Sequence, residues 1–283
     1  MKWTPGNRDN IDDLRGRTGG GRAIPLGIGG VLVLGLLSYF TGVDFLSMAE
    51  NGGGSAPTAS VGSGPVSSTP AEEKQADLVG AVMADTQATW QQLLGSRYQP
   101  TRAELFRGEV RSACGAAEAA SGPFYCPGDH LVYLDLGFFQ ELRERFGASG
   151  EFAEAYVLAH EVGHHVQSLL GIDAQMRRQQ SGNPSARNDL SVKLELQADC
   201  FAGVWGHFTN KQGRASQGKI ELESGDLEDG LRAAAAIGDD RIQKMTTGHV
   251  FPEKFTHGTS QQRSTWLNRG FQSGDPKACD TFQ

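Results

Sequence analysis

An uncharged run of about 20 residues, Ile24–Val43, constrains this chain more than any other feature of its sequence. At a rise of about 1.5 Å per residue, a helix of this length spans the roughly 30 Å hydrocarbon core of a bilayer. Only Asp44 and Glu50 follow the run closely, whereas several basic residues precede it, so the charge bias predicts a cytoplasmic N-terminus. These basic residues are Lys2, Arg8, Arg15, Arg17 and Arg22.

The residues after this run have the composition of a linker and then of a folded domain. Residues 51–70 are mostly Gly, Ser and Pro without a charge, which predicts a flexible spacer. Two other interpretations of the apolar run are a cleaved signal peptide, ending near Ser47–Ala49, and a buried core helix. The sequence thus predicts a cytoplasmic tail (1–23), a transmembrane helix (24–43), a flexible linker (44–70) and one domain (71–283).

Composition narrows the class of protein and its compartment. The chain has 283 residues and a formal net charge of −7, with no long Lys/Arg run, so nucleic acid is excluded as its main partner. About 200 residues remain for the domain, enough for a full hydrophobic core. Four cysteines in an exported chain suggest two disulfides, and buried free thiols are the alternative. The cysteines are Cys114, Cys126, Cys200 and Cys279.

The sequence predicts a helix-rich domain with one small sheet. Periodic apolar residues predict helices over 71–94, 136–146, 151–170, 188–208, 226–237 and 260–268. Strand-like patterns fall near 105–110 and 130–134. Asp135 and Ser149 are the predicted N-caps of the second and third helices, and the third helix carries the chemical motif. This order of elements predicts the α+β class.

The motif is His160-Glu161-Val162-Gly163-His164. Histidines four apart on a helix differ by about 40° around its axis, so the two imidazoles share a face and can hold one Zn²⁺. Glu161 lies about 100° away, where its carboxylate can act as a general base on an activated water. Gly163 allows close approach of another backbone or of a ligand, and His165 is a neighbour rather than a ligand.

A catalytic zinc usually has three protein ligands, so a third must come from elsewhere in the chain. Position 170, where a longer motif would place a histidine or an aspartate, is Leu170. A second helix offers Glu195 and Asp199 four residues apart. We expect Glu195 to be the third ligand and Asp199 to accept the other N–H of a ligating histidine, His160. Two alternatives stay open: Asp199 ligates while Glu195 pairs with an arginine, or neither takes part.

These residues predict hydrolysis of a peptide bond by an activated water, with Glu161 taking the proton and passing it to the leaving amine. The reaction also needs a donor to the oxyanion. His257 is the candidate donor, and its alternative is a purely structural role. The other histidines, His130, His207 and His249, are expected to be ordinary surface or core residues.

The chain resembles the bacterial family of neutral zinc metallopeptidases, which are membrane-anchored and zincin-like. The resemblance implies a membrane-anchored bacterial zinc peptidase. With the apolar run and the charge bias, it predicts a single pass through the inner membrane, with the N-terminus inside and the domain periplasmic or extracellular. By resemblance to gluzincins, Glu195 matches the third ligand and Asp199 the supporting acid. Near its N-terminus the chain departs from the family's usual sequence pattern, because Leu14 stands where the family has an arginine. The resemblance is carried by residues 114–139, 150–172, 190–205, 257–263 and 275–282.

The sequence as a whole predicts an α+β, zincin-like domain that binds Zn²⁺ and cleaves a peptide or protein substrate. Of three possible disulfide pairings, Cys114–Cys126 with Cys200–Cys279 is favoured. An edge strand within 103–136 could bind an extended peptide. The first rival hypothesis is a membrane-tethered scaffold or assembly factor that contains zinc but has little turnover. The second is a cytosolic hydrolase whose apolar run is core.

Overall fold

The computed structural model of the chain describes residues 1–5, 8–16, 68–118 and 122–282. The predicted membrane segment, 24–43, and nearly all of the predicted linker lie outside these ranges. Among the helices that the structure describes, none is both long and apolar enough to cross a membrane.

Helices carry most of the described chain, and they confirm a mixed, helix-rich α+β fold. Their bounds agree with the predicted ones to within a few residues in most cases. The helices are α1 (Pro70–Leu94), α2 (Gly137–Glu144), α3 (Glu151–Leu169), α4 (Ile172–Gly182), α5 (Arg187–Thr209), α6 (Asp226–Ala236), α7 (Asp239–Thr247) and α8 (Ser260–Ser273).

Two small sheets accompany the helices. The larger has the strand order β1-β2-β6-β5, in which β1 and β6 run parallel to β2 and β5 runs antiparallel to β6. The smaller is the hairpin β3-β4. The strands are β1 (Ile11–Asp13), β2 (Arg102–Phe106), β3 (Glu109–Ser112), β4 (Gly115–Glu118), β5 (Phe124–Cys126) and β6 (Leu131–Asp135).

Several details differ from the prediction. Helices α4 and α7 were not expected, and α8 continues five residues beyond its predicted end at 268, to Ser273. The expected N-cap at Ser149 is wrong, because Gly150 occupies that position at φ 130° and no side chain caps α3. The N-cap of α2 is Leu136 rather than the expected Asp135, and its side chain makes no capping hydrogen bond. Asp135, one residue earlier, accepts a hydrogen bond from the Gly137 amide at 2.8 Å.

The first residues of the chain do not form a tail separate from the domain. Strand β1 pairs with β2, with Ile11 opposite Ala103 and Asp13 opposite Leu105. Ile11 is buried in the main core, and the Asn10 side chain donates to the Gly80 carbonyl in α1 at 3.1 Å. The predicted boundary between a tail at 1–23 and a domain at 71–283 therefore differs from the structure, since β1 belongs to the larger sheet.

Helix α3, which carries the HEVGH motif, lies at the centre of the core. Of its 19 residues, 15 are buried, so the helix needs cover on every face. Helices α1, α5 and α6 provide that cover. At its first turn, Phe152 stacks on Trp205 of α5 with ring centroids 5.8 Å apart. The surrounding core thus fixes the position of the motif.

Helices α5 and α8 cross at unusually short range because glycines lie at the contact. A Cβ atom at Gly203 would lie 2.0 Å from the Leu267 carbonyl oxygen, and one at Gly270 would lie 1.9 Å from the Cys200 carbonyl oxygen. A disulfide between Cys200 and Cys279 joins the same helix to the end of the chain, and a second joins Cys114 to Cys126. This is the pairing that the sequence favours.

The crossing predicts that Gly270→Ala destabilises the fold. The added methyl group would collide with backbone, so we expect the free energy of unfolding to fall by about 2 kcal/mol or more, which exceeds the roughly 1 kcal/mol that alanine gains in a helix. Urea unfolding of the full chain measures the change. Gly182→Ala is the matched control, because a Cβ atom there meets nothing within 4 Å. Equal stability of the two variants would contradict the prediction.

Candidate metal centre

Three potential metal ligands from two helices meet in one group. His160 and His164 of α3 and Glu195 of α5 offer ligand atoms that all lie within 4.8 Å of one another. The Nε2 atom of His160 is 3.1 Å from Glu195 Oε2, and that of His164 is 3.5 Å from Glu195 Oε1. Two imidazoles and one carboxylate form a donor set typical of catalytic zinc, in which a fourth position is left for water.

The two helices approach closely enough because the motif contains a glycine. A Cβ atom at Gly163 would lie 3.0 Å from the Ala198 carbonyl oxygen and 3.1 Å from the Ala198 Cα. A larger residue at position 163 would push α5 away from α3. Since Glu195 lies one turn before Ala198, this contact sets the distance between its carboxylate and the two histidines.

Each histidine is oriented by its other ring nitrogen. His160 Nδ1 is 2.8 Å from Asp199 Oδ1, and His164 Nδ1 is 2.8 Å from Gln167 Oε1. Gln167 in turn donates to the Leu194 carbonyl of α5 at 2.7 Å. Acceptors at both Nδ1 atoms hold the protons there and leave the Nε2 lone pairs for a metal. The residues present therefore fit zinc in geometry and in tautomer.

Asp199 is fully buried and accepts several hydrogen bonds. In addition to His160, the Tyr156 hydroxyl donates to its Oδ1 at 2.5 Å, and the guanidinium of Arg263 contacts both of its oxygens. Burial opposes a charged Asp199, but Arg263 and His160 outweigh it and lower the pKa of the carboxyl group. Asp199 is thus an anion, supplied with donors from two other helices, α3 and α8.

At His160 and Glu195 as well, neighbouring opposite charges outweigh the effect of burial on the pKa. Burial opposes protonation of His160, but Asp199 and Glu195 outweigh it and raise its pKa to about 10. Burial also opposes a charged Glu195, yet His164 and His257 hold the pKa of this carboxyl well below its usual value. The group therefore presents a carboxylate to neighbours that carry positive charge, an arrangement in which a cation can replace the protons.

A cleft of about 670 Å³ opens over this group. Glu161, 7% exposed, lies in its lining beside the three ligands. The size suits a peptide segment rather than a small ion alone. Part of the wall is apolar and comes from α2, α3, β5 and the ends of α6 and α7, with Phe124, Phe138, Phe146, Val157, Ile237 and Ile242 in the lining.

His257 also lines the cleft, and an aspartate orients it. Its Nδ1 is 3.3 Å from Asp239 Oδ1 and 3.0 Å from the Thr256 hydroxyl, and its backbone N–H donates to Asp239 Oδ2 at 2.6 Å. These contacts leave Nε2 as the ring nitrogen available to a bound molecule. Burial opposes protonation, but the Glu195 charge and the hydrogen bond with Asp239 raise the pKa of His257 above its usual value.

The remaining histidines have local partners. His165 lies 1% exposed between the Gln99 carbonyl, 2.7 Å from Nε2, and the Tyr125 hydroxyl, 3.1 Å from Nδ1. His130 Nδ1 contacts the same hydroxyl at 2.7 Å, and His207 Nδ1 contacts the Phe271 carbonyl. His249 is exposed.

Four residues in or behind the site were not predicted from the sequence. Tyr156 lies one turn before His160 on the same face of α3, so its spacing of four was an available signal. Gln167 follows the motif at the next turn. Arg263 and Asp239 lie far from the motif in sequence, and no spacing rule connects them to it.

The comparisons agree with this geometry. The family model described as "Putative neutral zinc metallopeptidase" matches residues 1–282. The chain belongs to this family. Its relatives include the uncharacterized protein YpfJ of Escherichia coli (strain K12), which is 45% identical over 296 aligned residues that cover 100% of this chain and 99% of the relative.

A mycobacterial relative shares a shorter region. The uncharacterized protein Rv2575 of Mycobacterium tuberculosis (strain ATCC 25618 / H37Rv) is 49% identical over 199 residues, covering 69% of this chain and 66% of the relative. No solved structure matches the chain. The family name thus indicates the chemistry, and the geometry above indicates the residues.

Proposed function

We propose that this protein is a zinc-dependent peptidase in which His160, His164 and Glu195 hold the metal and Glu161 is the general base. One observation carries the proposal: a three-ligand group with an adjacent carboxylate lies at the base of a peptide-sized cleft. A structural zinc site normally closes with four protein ligands and has no use for Glu161. An open fourth position beside a base is what hydrolysis requires.

When bound, zinc polarises water and the substrate carbonyl and lowers the pKa of the water toward about 7. Glu161 accepts the proton of the attacking water and delivers it to the leaving amine, so that one carboxylate serves as base and then as acid. The protonated His257, directed by Asp239, donates to the oxygen that gains negative charge. Asp199 and Gln167 keep the histidine ligands in one tautomer throughout.

Strand β5 is the proposed binding edge for the substrate. It ends the larger sheet and, within the described chain, pairs with β6 on one side only. Phe124 and Tyr125 of this strand line the cleft. An extended peptide can add to such an edge through main-chain hydrogen bonds, which favour unstructured segments of any sequence. The disulfide from Cys126 to Cys114 ties β5 to the hairpin β3-β4.

The proposed location is the bacterial cell envelope, outside the cytoplasm, with attachment to the inner membrane through residues 24–43. Two disulfides within the described chain support an oxidising compartment. The partners are then a peptide or protein substrate and the membrane. The attachment rests on the sequence prediction alone.

Replacing the base should separate metal binding from catalysis. Glu161→Gln keeps all three ligands, so we expect full zinc content with peptide hydrolysis reduced on the order of 10²–10⁴-fold. Glu195→Ala is the contrasting variant and should lose stoichiometric zinc together with activity. Purified full-length protein is assayed for zinc by elemental analysis and for hydrolysis of an unstructured protein. Full zinc content in Glu195→Ala would mean that the third ligand is another residue.

The same experiment tests the rival hypothesis of a zinc-containing scaffold. A scaffold needs the metal but not the base, so the wild type and Glu161→Gln would be equally inert toward a broad peptide library. Hydrolysis by the wild type alone decides for the enzyme.

The raised pKa of His257 predicts the shape of the pH profile. The protonated ring is the donor, so kcat/KM should fall as pH rises through this raised pKa. His257→Gln removes the titrating group, and its profile should lose that descending limb while the rate at lower pH drops about 10²–10³-fold. Asp240→Asn is the control, because Asp240 follows Asp239 in α7 but accepts a hydrogen bond from Ser260 instead of contacting His257. If His257→Gln kept the same fall of kcat/KM at high pH, that fall would belong to the titration of another group.

A further inference from the structure

A buried arginine contacts the metal centre through Asp199. Arg263, in the first turn of α8, is 3% exposed. Its Nε donates to Asp199 Oδ2 at 2.9 Å, and its Nη2 donates to Asp199 Oδ1 at 3.0 Å. The same Nη2 donates to the Tyr156 hydroxyl at 3.2 Å, and Nη1 donates to the Ile237 carbonyl at 3.2 Å. The guanidinium is therefore bonded on all of its sides.

We propose that Arg263 is a positioning residue for the ligand His160, an inference that rests on the proposed zinc centre. Asp199 Oδ1 accepts from Tyr156, His160 and Arg263 together. With Oδ2 also held by Arg263, the carboxylate cannot rotate about its Cβ–Cγ bond. His160 Nδ1–H then has one fixed acceptor, and its Nε2 has one fixed direction toward the metal.

The choice of arginine follows from this geometry. A guanidinium offers two parallel N–H groups that match the two oxygens of a carboxylate, whereas a lysine offers a single point of contact. The glycine crossing of α5 and α8 brings the guanidinium within reach of Asp199 while its side chain stays buried. Arg263 also lines the cleft, and its Nη2 lies 3.5 Å from His160 Nδ1. Its two-point bond is to Asp199, so its effect on the orientation of His160 passes through that carboxylate.

A purely structural ion pair is the competing explanation, and the protein contains a matched example. Arg214 bonds both oxygens of Asp85 through Nη2 at 2.7 Å, and Asp85 also accepts from Trp205 Nε1 at 3.0 Å and from the Ile220 amide. Both pairs join an arginine to an aspartate that is buried and held by further donors. Only the pair at Asp199 leads to a metal ligand.

The test is zinc affinity, measured on full-length apo protein by competition with a chelator. We expect Arg263→Met to weaken zinc binding about 10–100-fold, as the loss of a partner behind a ligand does. Arg214→Met should lose thermal stability yet keep wild-type affinity. Arg263→Lys, which keeps the charge but not the fork, should fall between Arg263→Met and the wild type. This variant carries the test if Arg263→Met does not fold.

The possible results distinguish a failure of the positioning role from a failure of the proposed function. Wild-type zinc affinity in folded Arg263→Met, or in Arg263→Lys if only that variant folds, overturns the positioning role and leaves the proposed function intact. Equal weakening in Arg214→Met also overturns it, because the effect would then follow from any lost buried pair. A wild-type protein without zinc affinity refutes the proposed function itself.

An independent observation concerns strand β1, which precedes the predicted membrane segment. The Ala103 amide donates to the Asn10 carbonyl at 2.9 Å, and the Leu14 amide donates to the Leu105 carbonyl at 2.8 Å. These bonds continue the ladder with β2 at both of its ends. The strand is thus paired along its length with a strand that follows the membrane segment in sequence.

Ion pairs hold the same residues to the domain. Arg8 contacts Glu73 at 2.7 Å and Asp77 at 2.6 Å, both in α1. Arg15, whose side chain is 1% exposed, contacts Asp13 at 2.6 Å and Glu73 at 2.9 Å. Two of the basic residues that predict a cytoplasmic N-terminus are therefore used within the fold, which weakens the charge bias as a guide to orientation.

We infer that residues 8–16 and 68–282 lie on the same side of the membrane. Hydrogen-bonded strands cannot be separated by a bilayer, so a single crossing by residues 24–43 is incompatible with β1 in its place. Residues 24–43 would then attach the protein to the membrane with both of their ends on one side, and the proposed location outside the cytoplasm would apply to residues 8–16 as well as to 68–282. The predicted single-pass topology would require β1 to leave the sheet, exposing the buried Ile11 and the charge of Arg15.

Engineered cysteines test this arrangement in intact cells. Asp12 and Glu104 are Cα partners across the two strands, so Asp12→Cys with Glu104→Cys should form a disulfide under mild oxidation. A protease site inserted between residues 60 and 61 lets the two halves be cut apart after thiols are blocked. We expect the fragments to stay joined on a non-reducing gel and to separate on reduction. Asp12→Cys with Glu109→Cys, in the hairpin, is the control pair.

Three outcomes would contradict this expectation. If the fragments separate without reduction in cells while the same pair cross-links after solubilisation, the inference is refuted, because a membrane then kept the strands apart. Separation under both conditions refutes the pairing of β1 with β2 itself. Equal cross-linking of the test pair and the control pair in cells also refutes the inference, since random collision would then explain both disulfides.

Discussion

The contact between Gly163 and the backbone of Ala198 is the constraint on which the metal centre depends. It sets the distance between α3, which carries two histidines, and α5, which carries the acidic residues. A motif on a single helix provides two ligands and a base but cannot close a zinc site. The third ligand has to come from a second helix, and the absence of a side chain at Gly163 brings that helix within reach. The burial of α3 on every face then prevents the pair from separating.

The buried charge of Asp199 is accompanied by several hydrogen-bond donors. Asp199 has no solvent contact, and an isolated carboxylate there would be strongly unfavourable. Arg263, Tyr156 and His160 supply its donors, each from an element that the core already fixes. Orientation of the ligands is therefore a property of three packed helices, α3, α5 and α8, rather than of the motif alone. The same logic appears at His257, whose acceptor Asp239 lies at the start of α7.

The sequence predicts those parts of the site whose geometry is local. Residues four apart on one helix face account for His160, His164, Glu195 and Asp199, since the 3.6-residue period determines their direction without knowledge of the fold. Arg263 and Asp239 could not be found in this way, because helix crossings bring them to the site. Helices α4 and α7 escaped prediction for a related reason: α4 buries Met176 alone and α7 buries no residue, so neither has an apolar period. Strand β1 was not predicted because it is only three residues long and its partner, β2, lies about 90 residues later in the sequence.

The disulfide from Cys200 to Cys279 has a consequence for when the site can form. As the chain is synthesised, the HEVGH helix emerges more than a hundred residues before the bridge can close. His257 and Arg263 also emerge late, and Gln197, between the ligand and its supporting acid, donates to the carbonyl of Cys279 itself at 3.0 Å. The last residues to emerge thus complete the environment of ligands made much earlier. A growing chain therefore carries the motif before the residues that surround the candidate ligands are complete.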